Sequence, residues 1–209
     1  MFSVKIRGVR VCADIGFLAV ISLISLSGKS ICGFSFLACI LHELGHLAAI
    51  YAYGNGIRKI SFNAFGIRII PIEKNINSVR ADIMILLSGP MMNFISAFIV
   101  YIINKGICGS FVIISLITGT FNLFPFPVLD GGSIMTNLSE YFLSEENFNI
   151  FKKIRSVINI LIIILMLYIC TSCKYKNISF ILMSVWLLVS EVCSDYKKNN
   201  EKKSYQNID

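Results

Sequence analysis

Six stretches of this 209-residue chain carry at most one charged residue apiece: roughly 11–26, 31–53, 81–103, 107–124, 157–173 and 178–192. A helix must bury about 20 apolar residues, at 1.5 Å of rise each, to cross the hydrocarbon of a bilayer, and these runs have that scale. With 56% hydrophobic and only 15% charged residues, the composition suits an integral membrane protein and excludes an ordinary soluble domain. The expected fold class is an all-α polytopic membrane protein with about six transmembrane helices. One integral domain is expected over 1–194, followed by a polar cytoplasmic tail over 195–209.

The net charge of +7 acts through its placement. If both termini lie on one side, that side holds fifteen of the nineteen Lys and Arg residues. The positive-inside rule then puts both termini in the cytoplasm, and the expected location is the inner (cell) membrane of a bacterium. Basic charge thus orients the chain in a lipid bilayer, and nucleic acid is not an expected partner. "KIRGVR" before the first apolar run resembles the start of a signal peptide, but no small-residue cleavage site follows, so the first span is expected to be retained. The seven cysteines lie in or beside apolar runs without zinc-ribbon spacing and read as packing residues, Cys170 and Cys173 included.

Two interruptions break the helical pattern. Between the second and third spans, "GIRKISFNAFGIRIIPIEKN" alternates partly and reads as a small β-hairpin over 57–71. After the fourth span, "NLFPFPVLDGG" carries Pro125 and Pro127, which stop a helix, and Gly131 with Gly132, which permit a tight turn. Broken backbone at membrane depth survives only where protein or a wet cavity satisfies its polar groups, so this break marks a candidate site.

The chemistry lies in "LHELGHLAAI", residues 41–50. His42 and His46 are the only histidines; four residues apart, they differ by about 40° around a helix and can reach one metal ion. Glu43, about 100° from His42, can meet a metal-activated water without acting as a ligand. This is HExxH spacing. Burying two imidazoles and a carboxylate in lipid is costly unless something holds them together. A catalytic zinc ordinarily takes three protein ligands. Asp130, beside the prolines and glycines of the broken segment, is the best third candidate; Asp14 and Asp82 compete for the role and otherwise read as interfacial or helix-start carboxylates.

Three motifs, "HELGH" at 42–46, "SGPMMN" at 88–93 and "NLFPFPVLDGG" at 122–132, resemble in kind and order those of the site-2 proteases, intramembrane zinc metalloproteases. The resemblance spans essentially the whole chain. It implies one Zn2+ per chain bound by His42, His46 and Asp130, with Glu43 as general base. It implies that Asn122 and Pro125 belong to the motif that holds Asp130 and shapes the substrate cleft, with Asn122 a further candidate donor to the oxyanion. Gly89, Pro90 and Asn93 match the third-helix motif, for which close packing and backbone support are expected. The chain is most similar to the sporulation subgroup, that of stage IV sporulation protein FB, although a short polar tail stands where that subgroup often has a CBS domain. This implies a membrane-associated protein substrate, a sigma factor precursor, with inhibitory membrane proteins as further partners. The hairpin at 57–71 would then offer an edge to an unwound substrate. Two alternatives stay open: a nonproteolytic zinc-binding membrane protein or transporter, and a protease of the same type acting on another membrane client.

Overall fold

A computed structural model describes residues 2–6, 9–13, 30–54, 56–63, 66–71, 78–104, 109–172 and 181–192. The chain divides into two compact units, Met1–Asn122 and Leu123–Asp209. The tail over 195–209 lies outside the described residues.

Among the described residues, the first unit holds a four-stranded sheet and three helices. Strands β1 (Phe2–Ile6), β2 (Val9–Ala13), β3 (Ile57–Asn63) and β4 (Gly66–Pro71) lie in that order, so β1 and β4 are its edges. β3 and β4 form the expected antiparallel hairpin, with Phe62 opposite Ile67 and Asn63 opposite Gly66. β1 and β2 form a second hairpin, and β2 runs parallel to β3, Val11 facing Ile60 and Cys12 facing Ser61. The start of the expected first span is therefore corrected: Val11–Ala13 are strand. β-branched Val9 and Val11 alternate with Arg10 there, and the pairing with β3 decides a conformation that an apolar run leaves open. The remainder of that span lies outside the described residues.

A parallel strand pair requires a long crossover, and helix α1 (Ser30–Ala52) lies within it. Gly54, at φ 73°, ends α1 in the left-handed conformation, where its lack of a Cβ removes the steric cost. Helix α2 (Val79–Asn104) opens where the Ser78 hydroxyl accepts the Ala81 N–H at 3.3 Å, an N-cap, with Asp82 favourably placed in the first turn. Helix α3 (Gly109–Asn122) completes the unit, and the three helices pack on one another. Their approach is close because small residues sit at the crossings. A Cβ added to Gly45 would lie 2.9 Å from the Ser88 carbonyl carbon, and one on Gly119 would lie 2.9 Å from the Phe94 ring.

The second unit contains α4 (Asp130–Phe142), α5 (Glu145–Ser172) and α6 (Ile181–Val192). Gly131 and Gly132 do not form the expected turn; they lie in the first turn of α4, both buried. Their role is close approach: a Cβ on Gly131 would overlap the backbone of Leu123, and one on Gly132 that of Phe126.

Of the six described helices, α1 and residues Val79–Ile103 of α2 are long and apolar enough to cross a membrane by length and composition. Burial is inverted relative to a water-soluble protein. Phe98, Tyr101, Ile103, Leu161, Ile164 and Tyr168 are exposed, whereas His42, Asn93, Ser115, Asn159, Ser184 and Glu191 are buried. So much exposed apolar surface requires an apolar solvent, and the buried polar groups must then be paired within the protein.

Candidate metal centre

The site is assembled on α1, where the HELGH spacing brings the two imidazoles together. Nε2 of His42 and Nε2 of His46 lie 3.2 Å apart, with the rings nearly perpendicular at 84°. His46 Nδ1 is 2.7 Å from the Ile85 carbonyl oxygen of α2. A carbonyl only accepts, so this Nδ1 carries the proton, and Nε2 of the neutral ring presents a lone pair toward His42.

His42 is buried, and its Nδ1 lies 3.2 Å from the side-chain nitrogen of Asn93 on α2. Asn93 is fully buried, and its Oδ1 has no hydrogen-bond partner. Turning the amide end for end keeps its shape and lets Oδ1 accept from His42 Nδ1–H. Both imidazoles then have Nδ1 engaged by α2 and Nε2 lone pairs that face each other. That arrangement is stable only with a cation or a proton between them. Two nitrogens bound tetrahedrally at about 2.0–2.1 Å from one zinc are separated by about 3.3 Å, close to the spacing observed here. The donor set thus fits zinc, with each ring oriented through its second nitrogen in the way metal-binding histidines ordinarily are.

Gly89 forms the floor beneath the pair. A Cβ there would lie 2.8 Å from His42 Nε2 and closer still to His46 Nε2. The SGPMMN motif therefore does more than allow helices to pack. Gly89 leaves the volume in front of both Nε2 atoms clear, and Asn93, one turn farther along α2, engages His42 from behind. The contact of Asn93 with His42 was not legible in the sequence, where the SGPMMN motif suggested close packing and backbone support. Glu43 is half-buried on α1, next to His42 in sequence.

Asn122 is the last residue of α3, and its side-chain amide donates to the Thr118 carbonyl at 3.0 Å. In the second unit, the Pro125 carbonyl accepts from the Asn159 amide at 3.1 Å. Asp130 is half-buried and is the first residue of α4, behind an extended Leu129 at φ −102° and ψ 160°. A carboxylate at a helix N-terminus is favoured by the helix dipole. Asp82 lies in the first turn of α2, and Asp14 lies outside the described residues.

The family model described as peptidase family M50 matches residues 31–110 and 105–166. Among solved structures, the chain is similar to the site-2 protease from Methanocaldococcus jannaschii, with 23% identity, a TM-score of 0.62, and coverage of 91% of this chain and 94% of that one. At that identity the likeness shows a shared fold. No curated protein matches the chain. The family match runs through the two histidines of α1, the SGPMMN turn of α2 and Asp130 alike, over more than half of the sequence: the chain belongs to peptidase family M50, a membrane-embedded, zinc-dependent family of metalloproteases.

Proposed function

We propose that the protein is an intramembrane zinc metalloendopeptidase that hydrolyses a peptide bond in or near the membrane segment of a membrane-associated protein. The observation that carries this reading is the 3.2 Å apposition of the His42 and His46 Nε2 atoms, each ring fixed from behind by α2. In this reading His42, His46 and Asp130 hold one zinc ion per chain.

Zinc supplies Lewis acidity that brings water toward neutral pKa and polarises a scissile carbonyl. The protein's own groups do the rest. The Ile85 carbonyl and Asn93 keep both imidazoles in the tautomer that presents Nε2. Glu43 takes a proton from the attacking water and returns it to the departing amine nitrogen as the C–N bond breaks. Asn122 has one further amide N–H beyond the bond to Thr118, and we assign that N–H to the oxyanion. We assign Pro125 to the cleft wall, since a proline cannot continue a helix and the chain between α3 and Asp130 runs in turns and bends. We also place six spans in the bilayer of a bacterial cell membrane on the six apolar runs, with both termini cytoplasmic on the distribution of basic residues.

The zinc assignment is tested by metal content. Purified protein is expected to carry one zinc per chain, and Asp130→Ala to lose most of it, because two imidazoles remain. Full zinc retention in Asp130→Ala overturns that ligand set.

The client we infer is a sigma factor precursor, on the resemblance of the three motifs to the sporulation subgroup. Coexpression with such a precursor is expected to give a shortened product that a membrane-permeant chelator abolishes. An intact precursor beside a zinc-loaded enzyme that cleaves a different membrane protein would move the assignment to that other client.

A further inference from the structure

The second unit contains a buried polar cluster that the proposed chemistry does not use. Asn159 on α5 is completely buried, and both of its amide hydrogens are spent: one goes to the Pro125 carbonyl at 3.1 Å, the other to Glu191 Oε2 of α6 at 2.8 Å. Glu191 is itself 4% exposed. One turn earlier on α5, Arg155, also 4% exposed, donates through Nη1 to the Thr136 hydroxyl at 2.8 Å. That hydroxyl donates in turn to the Gly132 carbonyl at 2.8 Å.

The two anchor points bracket Asp130. Pro125 lies five residues before it, and Thr136 six residues after. Between them, Leu129 N–H closes on the Phe126 carbonyl at 2.9 Å, and the two glycines of α4 press against the Leu123 and Phe126 backbone. A segment broken by two prolines lacks two N–H donors and leaves carbonyls that a helix would pair, and in hydrocarbon water does not satisfy them. Asn159 supplies the missing donor for Pro125. Only an amide fits: it provides two donors, one for a carbonyl and one for a carboxylate, where aspartate has none and leucine has none. The Pro125 carbonyl, which only accepts, fixes the amide in one orientation, and Glu191 Oε2 takes the second N–H of the same nitrogen.

We propose that Asn159, seated by Glu191, is a positioning residue that holds the Pro125–Leu129 segment and thereby sets Asp130 for metal binding, with Arg155 fixing the far side through Thr136. The inference rests on the reading of Asp130 as a zinc ligand. Its effect reaches the metal through backbone geometry, in the manner of outer-shell partners whose loss costs about 10–100-fold in metal affinity.

The test measures zinc affinity of the full-length protein in detergent, by competition with a chromophoric chelator, with folding followed by thermal unfolding and gel filtration. Asn159→Leu is expected to weaken zinc about tenfold or more. Glu191→Leu should do the same, and Glu191→Gln, which retains an acceptor for the Asn159 amide, should restore wild-type affinity. Ile163→Ala, at a buried apolar position one turn farther along α5, should lower thermal stability and leave zinc affinity unchanged, which a merely structural role for Asn159 would not separate. Wild-type affinity in Asn159→Leu, or an equal loss in Ile163→Ala, overturns the proposal. If Asn159→Leu does not fold, the Glu191 pair decides: equal affinities in Leu and Gln overturn it. Asp130→Ala, run alongside, separates the two claims. Zinc retained there removes the ligand assignment and this inference with it; zinc lost there but unchanged in Asn159→Leu removes the positioning role alone.

Discussion

Glu43→Gln is expected to keep its zinc and lose cleavage by about a thousandfold, equivalent to about 4 kcal/mol of transition-state stabilisation. The substitution preserves the size of the side chain and the helix that carries it, and it leaves both imidazoles untouched. It removes only the ability to accept a proton and pass it on. A transporter or metal-sensing protein built on the same ligands needs no base at that position and would retain both zinc and function. The measurements are metal content on the purified variant and product yield with the coexpressed client. Zinc retained together with undiminished cleavage ends the role of Glu43 as the base; zinc lost in Glu43→Gln moves that side chain from proton carrier to ligand or ligand support. A collapse of kcat with little change in KM is the pattern for a group that acts only in the transition state.

How far the sequence alone reaches is set by the range of each interaction. HELGH is legible because a helix converts a four-residue interval into one face without tertiary information. The β3–β4 hairpin is legible for the same reason, since only two residues separate its two strands in sequence. The β1–β2 pair is not. Val9–Ala13 leads straight into an apolar run, and what makes it a strand is parallel pairing with Lys59–Phe62 across a long crossover. Glycines 131 and 132 show the same limit from another side. Their flexibility suggested a turn, whereas the fold uses their missing side chains to bring the α4 start against the Leu123 and Phe126 backbone.

Arg155 shows how charge counting and structure diverge. Counted as a basic residue of a cytoplasmic connection, it contributes to orientation; in the structure it is buried on α5 and bonded to Thr136. Asn159 and Glu191 likewise appear in the sequence only as polar residues inside apolar runs, and Asn93 only as a member of the SGPMMN motif with a packing role expected. Each acquires meaning from a partner at least thirty residues away: His42 for Asn93, Pro125 and Glu191 for Asn159. Polar groups buried among apolar helices announce that something must satisfy them. Which group does so is a property of the packed helices, and no local pattern encodes it.

Gly89→Ala gives the sharpest separation between fold and site. Alanine is the better helix former by about 1 kcal/mol, so on propensity alone the substitution should stabilise α2. Its methyl group, however, would arrive 2.8 Å from His42 Nε2 and nearer still to His46 Nε2. The three nearest atoms it meets all belong to the two imidazoles, so the collision can be relieved by pushing the rings aside. The helices should therefore persist while the metal geometry is lost. The variant is expected to fold, with the helix-propensity gain offset by loss of the Nδ1 contacts to Ile85 and Asn93, to bind zinc at least about a hundredfold more weakly, and to lose cleavage in proportion. Ser at this position should behave like Ala, since any Cβ occupies the same volume. Thermal unfolding of the metal-free forms follows the fold, and chelator competition isolates the metal term. Wild-type zinc affinity in Gly89→Ala would show that the space before the two Nε2 atoms is not where the ion sits, and the 3.2 Å apposition of the rings would then need a shared proton in place of a metal.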